Sequence, residues 1–158
     1  MIIFFTGFKD DIIGITAFKK FFAQVLAAMI TIVFGKMLLT NLHGFLCVFE
    51  INYHISILIT VVAIVGIINC FNLMDGIDGL SSGLGILVSL TFGIWFYQVR
   101  EYNWAMISVG LIGSLIAFFI FNVFGKKNKI FMGDTGSLIL GFFLAIMAIQ
   151  FNEVNITL

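Results

Sequence analysis

Ile51-Asn-Tyr-His-Ile-Ser-Ile-Leu-Ile-Thr-Val-Val-Ala-Ile-Val-Gly-Ile-Ile-Asn-Cys-Phe-Asn-Leu-Met74 runs without an Asp, Glu, Lys or Arg. A helix needs about 20 apolar residues to cross the roughly 30 Å hydrocarbon core of a bilayer. This stretch has that length, and its few polar side chains sit mostly near its ends. It reads as a membrane span over about 54–72.

Working outward, the same pattern recurs. No charge occurs between Lys20 and Lys36, from Gly79 to Val99, from Tyr102 to Gly125, or from Thr135 to Asn152. The expected spans are therefore about 18–36, 54–72, 80–99, 103–124 and 136–152. Met1–Phe8 is too short to cross. It lacks the basic start and cleavage site of a signal peptide and reads as the tail of a helix. The expected fold class is an all-α integral membrane protein: five transmembrane helices plus a partial N-terminal one, with functional loops at one membrane face.

Composition agrees. The 158 residues are 61% apolar and 10% charged, with net charge zero. Soluble domains are about 45–50% apolar and about 25% charged. So few polar groups cannot cover a soluble surface, and the pattern excludes both intrinsic disorder and nucleic-acid binding. Proline is absent, so any helix break must come from the 16 glycines. The only cysteines, Cys47 and Cys70, fall on opposite sides of the membrane in this topology and form no disulfide framework.

Five alternating spans sort the connections into two sets. Segments 9–20, 73–79 and 125–135 carry Lys9, Lys19, Lys20, Lys126, Lys127 and Lys129. Segments 37–53, 100–102 and 153–158, with the boundary residue Lys36, carry only Lys36 and Arg100. The positive-inside rule places the first set in the cytoplasm. All five aspartates, Asp10, Asp11, Asp75, Asp78 and Asp134, lie on that side, and all three glutamates lie outside. Acids contribute little to orientation, so topology does not account for this division. The outer segment 37–53, with a turn signal at Asn41–Gly44, reads as an interfacial hairpin or an amphipathic segment. His43 and His54 read as interfacial polar residues.

The aspartates sit in Phe8-Lys-Asp-Asp-Ile-Ile-Gly14, Asn69-Cys-Phe-Asn-Leu-Met-Asp-Gly-Ile-Asp-Gly-Leu80 and Lys129-Ile-Phe-Met-Gly-Asp-Thr-Gly-Ser137. Taken singly, each has a plain reading. Asp75 could be the N-cap of a helix with Asp78 in its first turn, Asp134 could cap the last helix, and Asp10–Asp11 could be a solvated loop. Gathered at one membrane edge, five carboxylates need a cation among them. Short oxygen ligands suit a hard ion such as Mg²⁺, which takes one or two carboxylates plus water and phosphate oxygens. Gly76, Gly79, Gly133 and Gly136 leave room for a diphosphate near the backbone. Helix N-termini at about 75–80 and 134–138 add amide donors, and the lysines add positive charge. The chemistry expected is phosphoryl transfer from a nucleotide-linked donor to a lipid acceptor.

Three motifs in this order resemble the polyprenyl-phosphate N-acetylhexosamine-1-phosphate transferase family. They are Asp10-Asp11 with Lys20-Phe-Phe-Ala-Gln24, then Asn69 to Leu80, then Asn122 with Phe131-Met-Gly-Asp-Thr-Gly-Ser137. The resemblance implies Mg²⁺, or Mn²⁺ in its place, with Asp134 as principal ligand. It implies that Asp10 and Asp11 lie at the acceptor phosphate, one of them as base. The alternative family mechanism makes an aspartate a covalent nucleophile, and the sequence does not choose between direct attack and a covalent intermediate. Asn72, Asp75, Asp78 and Asn122 would line the nucleotide and diphosphate pocket, Phe131 would stack on uracil, and Lys20 would contact a phosphate. The expected partners are a UDP-N-acetylhexosamine, a polyprenyl (undecaprenyl) phosphate, the membrane and a second copy in a homodimer. The expected setting is the bacterial inner membrane, with the site facing the cytoplasm.

Within the family, Asn72-Leu-Met-Asp75-Gly-Ile-Asp78 and the lysine loop look closer to the N-acetylglucosamine-1-phosphate branch than to the phospho-N-acetylmuramoyl-pentapeptide branch. Residues 1–158 read as a single membrane domain covering the central part of such a transferase. Family members carry further helices before the Asp-Asp motif and a cytoplasmic histidine motif after the last span here. An inactive remnant is the competing reading. The CDP-alcohol phosphotransferases expect Ala-Arg shortly after Asp-Gly, where this chain has Leu80-Ser81-Ser82. A channel or transporter would want ionisable groups inside the spans.

Overall fold

The computed structural model describes residues 1–44, 49–125 and 128–154. It contains six helices among them: α1 (Ile2–Ile13), α2 (Ala17–Gly35), α3 (Tyr53–Met74), α4 (Leu80–Gln98), α5 (Tyr102–Phe124) and α6 (Gly133–Glu153). Helices α2 to α6 are each long and apolar enough to cross a membrane. They match the five expected spans to within three residues at every end. The chain is a multi-pass membrane protein.

Its helices are apolar nearly all round, as spans in lipid must be, and the order within the bundle comes from shape and a few polar groups. Helix α6 is the most enclosed, touching α1, α3 and α4. Helices α4 and α5 form a hairpin, and α2 packs on α3 and α1. One apolar cluster joins Ile3, Ala28, Ile64, Ile68, Leu138 and Ala145 across α1, α2, α3 and α6. A second joins Phe71, Phe96, Leu115, Leu140 and Met147 across α3 to α6.

Two glycines permit close approach around α6. A Cβ on Gly141 would lie 2.7 Å from the Ile68 Cα, and one on Gly7 would lie 2.5 Å from the Thr135 Cα. The backbones therefore pack without intervening side chains at both crossings.

At the end opposite the aspartates, Asn41 and Glu50 form an antiparallel bridge. The Leu42 amide donates to the Phe49 carbonyl and the Ile51 amide to the Thr40 carbonyl, both at 2.9 Å. This pairing is that of a hairpin, with Asn41 and Leu42 in the paired segment and not in the turn expected there; residues 45–48, Cys47 among them, lie outside the described residues. The hairpin clasps the end of α6. Glu153 accepts from the Thr40 amide at 2.7 Å and hydroxyl at 2.5 Å, and Asn152 donates to the Asn41 carbonyl at 2.7 Å. His43 Nε2 lies 2.8 Å from the Asn152 carbonyl oxygen.

Three local expectations are corrected. Asp10 and Asp11 are not in a loop, because α1 continues through them to Ile13. Asp75 does not cap α4: it closes α3, and Gly79, at φ 74°, occupies the residue before α4. Glycine reaches that left-handed conformation without Cβ strain, so the chain reverses there and not at an aspartate. Asp134 lies in the first turn of α6 and not at its cap.

Candidate functional site

Helix polarity brings one end of every helix to the same face: the C-termini of α1, α3 and α5 and the N-termini of α2, α4 and α6. All five aspartates fall there.

At the centre stands Lys20, on the first turn of α2. Its ammonium reaches Asp10 Oδ2 on α1 at 2.8 Å and Asp134 Oδ1 on α6 at 2.5 Å. It also donates to Asn72 Oδ1 on α3 at 3.2 Å. Asn72 in turn donates to Asp134 Oδ1 and, at 2.8 Å, to the Ser137 hydroxyl. One lysine thus ties four helices together. The Lys20 and Asp10 side chains are only 14% and 11% exposed, so the charges face each other with little intervening water.

Asp10 also accepts from the Ile15 amide at 2.8 Å, which turns the chain between α1 and α2. Burial raises the Asp10 carboxyl, but Lys20 and the Ile15 amide outweigh it and hold it below the usual carboxylate range.

Asp11 points to α6. Its Oδ1 accepts from the Asp134 amide at 2.8 Å, and its Oδ2 from the Thr135 amide at 3.0 Å and hydroxyl at 2.5 Å. Two of the amides left unpaired at a helix start are satisfied by a carboxylate from another helix. Gly133, at φ 66°, makes this approach feasible, since a Cβ there would come within 3.0 Å of Asp11 Oδ1. The α6 amides expected to face a diphosphate are therefore held by Asp11. Sequence reasoning missed this role, because the capping partner lies more than a hundred residues away.

Asp75 accepts from the Ser81 hydroxyl at 3.0 Å. Burial pushes its carboxyl above the usual range, and the negative charges of Asp134 and Asp11 add to this. Hydrogen bonds from Ser81 and the Gly133 amide oppose it. Asn122 accepts from the Gly79 amide at 2.7 Å and donates to the Ile130 carbonyl at 2.9 Å. It fastens the α3–α4 turn to the segment leading into α6 and does not cap its own helix.

Asp78 stands at the rim, paired with Lys129 at 2.5 Å. The Lys129 ammonium also lies 5.4 Å from the centre of the Phe131 ring, which is 72% exposed. Lys126 and Lys127 lie outside the described residues. Asp10, Lys20, Asn72 and Asp134 meet directly, Asp11 and Asp75 border them, and Asp78, Asn122 and Phe131 form the side toward the α5–α6 connection.

Among the described residues, no three of His, Cys, Asp and Glu stand as a metal-ligand group. The donors present are carboxylate and amide oxygens. A hard divalent cation held by one or two carboxylates, with phosphate and water completing its shell, fits such a set.

The chain is 35% identical over 158 residues to the phospho-N-acetylmuramoyl-pentapeptide-transferase of Enterococcus hirae, covering 93% of this chain and 48% of that one. It is 37% identical over 153 residues to the protein of that name from Lactobacillus johnsonii, covering 90% and 47%. With the one from Levilactobacillus brevis it is 39% identical over 140 residues, covering 86% and 42%. The chain thus spans about half the length of these relatives. The model of glycosyl transferase family 4 matches residues 1–152, a stretch that holds every aspartate of the cluster, and the chain belongs to that family.

Proposed function

We propose that this chain carries the site of an enzyme that transfers a phosphorylated N-acetylhexosamine from a UDP carrier to a polyprenyl phosphate. The setting proposed is the cytoplasmic face of a bacterial plasma membrane. The observation that carries the reading is the meeting of Asp10, Lys20, Asn72 and Asp134, from four helices, at one membrane edge. A carboxylate–ammonium cluster there suits a reaction between a water-soluble diphosphate and a lipid phosphate.

In this reading an acceptor phosphate oxygen attacks the sugar-bearing phosphorus. The new P–O bond forms as the bond to the bridging oxygen breaks, and UMP leaves. Asp10, kept ionised beside Lys20, takes the acceptor's proton when one is present. Lys20 draws the acceptor phosphate, and Asn72 orients Asp134. Asp75, Asp78 and Asn122 line the donor pocket, and Phe131 offers an exposed ring to uracil. Asp11 holds the first turn of α6, and with it Asp134, in place. Mg²⁺, held chiefly by Asp134, would offset the diphosphate's negative charge.

Two donors are proposed. The motif Asn72-Leu-Met-Asp75-Gly-Ile-Asp78 and the lysine loop support UDP-N-acetylglucosamine, feeding surface polysaccharide. The names of the relatives support the UDP-linked N-acetylmuramoyl-pentapeptide, feeding peptidoglycan. The test is Mg²⁺-dependent transfer from each donor by the full-length protein, with and without Asp134→Ala. The expected result is transfer from one donor that is lost in the variant. Transfer retained by Asp134→Ala would remove the metal assignment, and transfer from neither donor would remove the proposal.

A further inference from the structure

One turn inward from the ion cluster lies a second polar contact between the same two helices. Gln24 on α2 follows Lys20 by four residues and is fully buried. Asn69 on α3 precedes Asn72 by three. The Gln24 amide donates to Asn69 Oδ1 at 3.3 Å, and the Asn69 amide donates back to Gln24 Oε1 at 2.7 Å. Asn69 also donates to the Val65 carbonyl at 2.8 Å. Residues three and four apart share a helix face. Lys20–Asn72 and Gln24–Asn69 are therefore two rungs on one seam, one charged and one amide.

Apolar contacts between α2 and α3 are non-directional and tolerate sliding, and in lipid no hydrophobic force resists it. A reciprocal amide pair does resist it, because each side chain both gives and takes a hydrogen bond at a single register. The next polar side chain on α2 is Thr31, which donates to the Ala27 carbonyl of its own helix. A slip by one turn, about 5.4 Å, would break the reciprocal pair inside the span and leave Asn69 with only its bond to the Val65 carbonyl of its own helix. It would also carry Lys20 away from Asp10 and Asp134.

We infer that Gln24 and Asn69 are positioning residues, whose reciprocal amide pair sets the register of α2 on α3 and thereby holds the Lys20 ammonium between Asp10 and Asp134. For kinetics this rests on the transferase reading, while the structural claim rests on the geometry alone. The experiment therefore has two readouts in the full-length protein. Zero-length carbodiimide coupling joins an amine to a carboxylate in direct contact, and Lys20–Asp10 and Lys20–Asp134 cross-linked peptides are counted by mass spectrometry. Transfer kinetics are measured on the same samples.

Gln24→Ala and Asn69→Ala each remove both hydrogen bonds of the pair and are expected to lower the cross-link yield and kcat about tenfold, a loss that two bonds of modest net worth supply, with KM for the UDP donor unchanged. The exchanged pair Gln24→Asn with Asn69→Gln keeps the combined length and both hydrogen bonds, and restores both readouts. Wild-type cross-link yields in the alanine variants would overturn the inference. So would an exchanged pair that folds with the parent's thermal midpoint yet stays as poor as the alanine variants. Cross-links that respond as expected in a protein without transfer activity would leave this inference standing and remove the transferase reading instead.

Discussion

Asp11 of α1 caps the first turn of α6 at Thr135, taking its amide at 3.0 Å and its hydroxyl at 2.5 Å while its other oxygen takes the Asp134 amide. The cap is built in tertiary structure and ties the orientation of Asp134 to the packing of α1. Asp11→Ala should lower stability by about 1–2 kcal/mol, the usual cost of a lost cap, read as thermal unfolding in detergent. Asp11→Asn, which keeps an acceptor oxygen, should lose less. Burial raises the Asp11 carboxyl, but its bonds to Thr135 and Asp134 hold it below the usual range. A depressed carboxylate stabilises the fold fully above its unfolded-state value and loses that contribution as pH falls through the folded-state value. The acid decline in thermal midpoint should therefore be shallower in Asp11→Asn than in the parent.

Lys20 holds Asp10 below the usual carboxylate range by hydrogen bond and by charge. Lys20→Met leaves the Asp10 and Asp134 carboxylates without the cation between them, so the protonated form of Asp10 gains. In the full-length protein, the acidic limb of the rate profile should move toward neutral pH. A limb that stays in place would show that Asp10 ionisation does not control the rate.

Asp75 behaves oppositely. Its carboxyl is raised by burial and by the neighbouring negative charges. The folded state thus binds the proton more tightly, and this contribution is full below the unfolded-state value and lost as pH rises through the folded-state value. Asp75→Asn imitates the protonated acid. Relative to the parent it should be more stable at neutral pH than at acid pH, measured as the difference in thermal midpoint between the two conditions.

The glycines separate contact from propensity. Gly7→Ala and Gly141→Ala place a Cβ against backbone at 2.5 and 2.7 Å. Each should destabilise by about 1–3 kcal/mol through overpacking. Gly110 has nothing within 4 Å of its Cβ position. Gly110→Ala should be neutral or stabilising by up to about 1 kcal/mol from helix propensity. Thermal unfolding of the three variants side by side checks both expectations.

The spans were legible because charge is too costly in hydrocarbon to occur by accident, so charge-free runs mark them directly. The aspartates' shared face followed from counting spans, since each crossing reverses the side. The plain alternative, in which Asp75 and Asp134 cap the helices next to them in the chain, does not hold, because a cap inferred from sequence assumes that the partner is near in the chain. Here Gly79 makes the α4 turn, and the cap of α6 comes from α1.

The sequence by itself thus determined how many helices cross, which ends carry the acids, and which residue types gather there. Only the tertiary structure decided which acid meets which partner. Lys20 joins Asp10 and Asp134, Asp11 serves α6, Lys129 takes Asp78, and Gln24 meets Asn69. Periodicity and charge act along the chain, whereas these pairings depend on how closely glycines let the helices approach and in which register they settle.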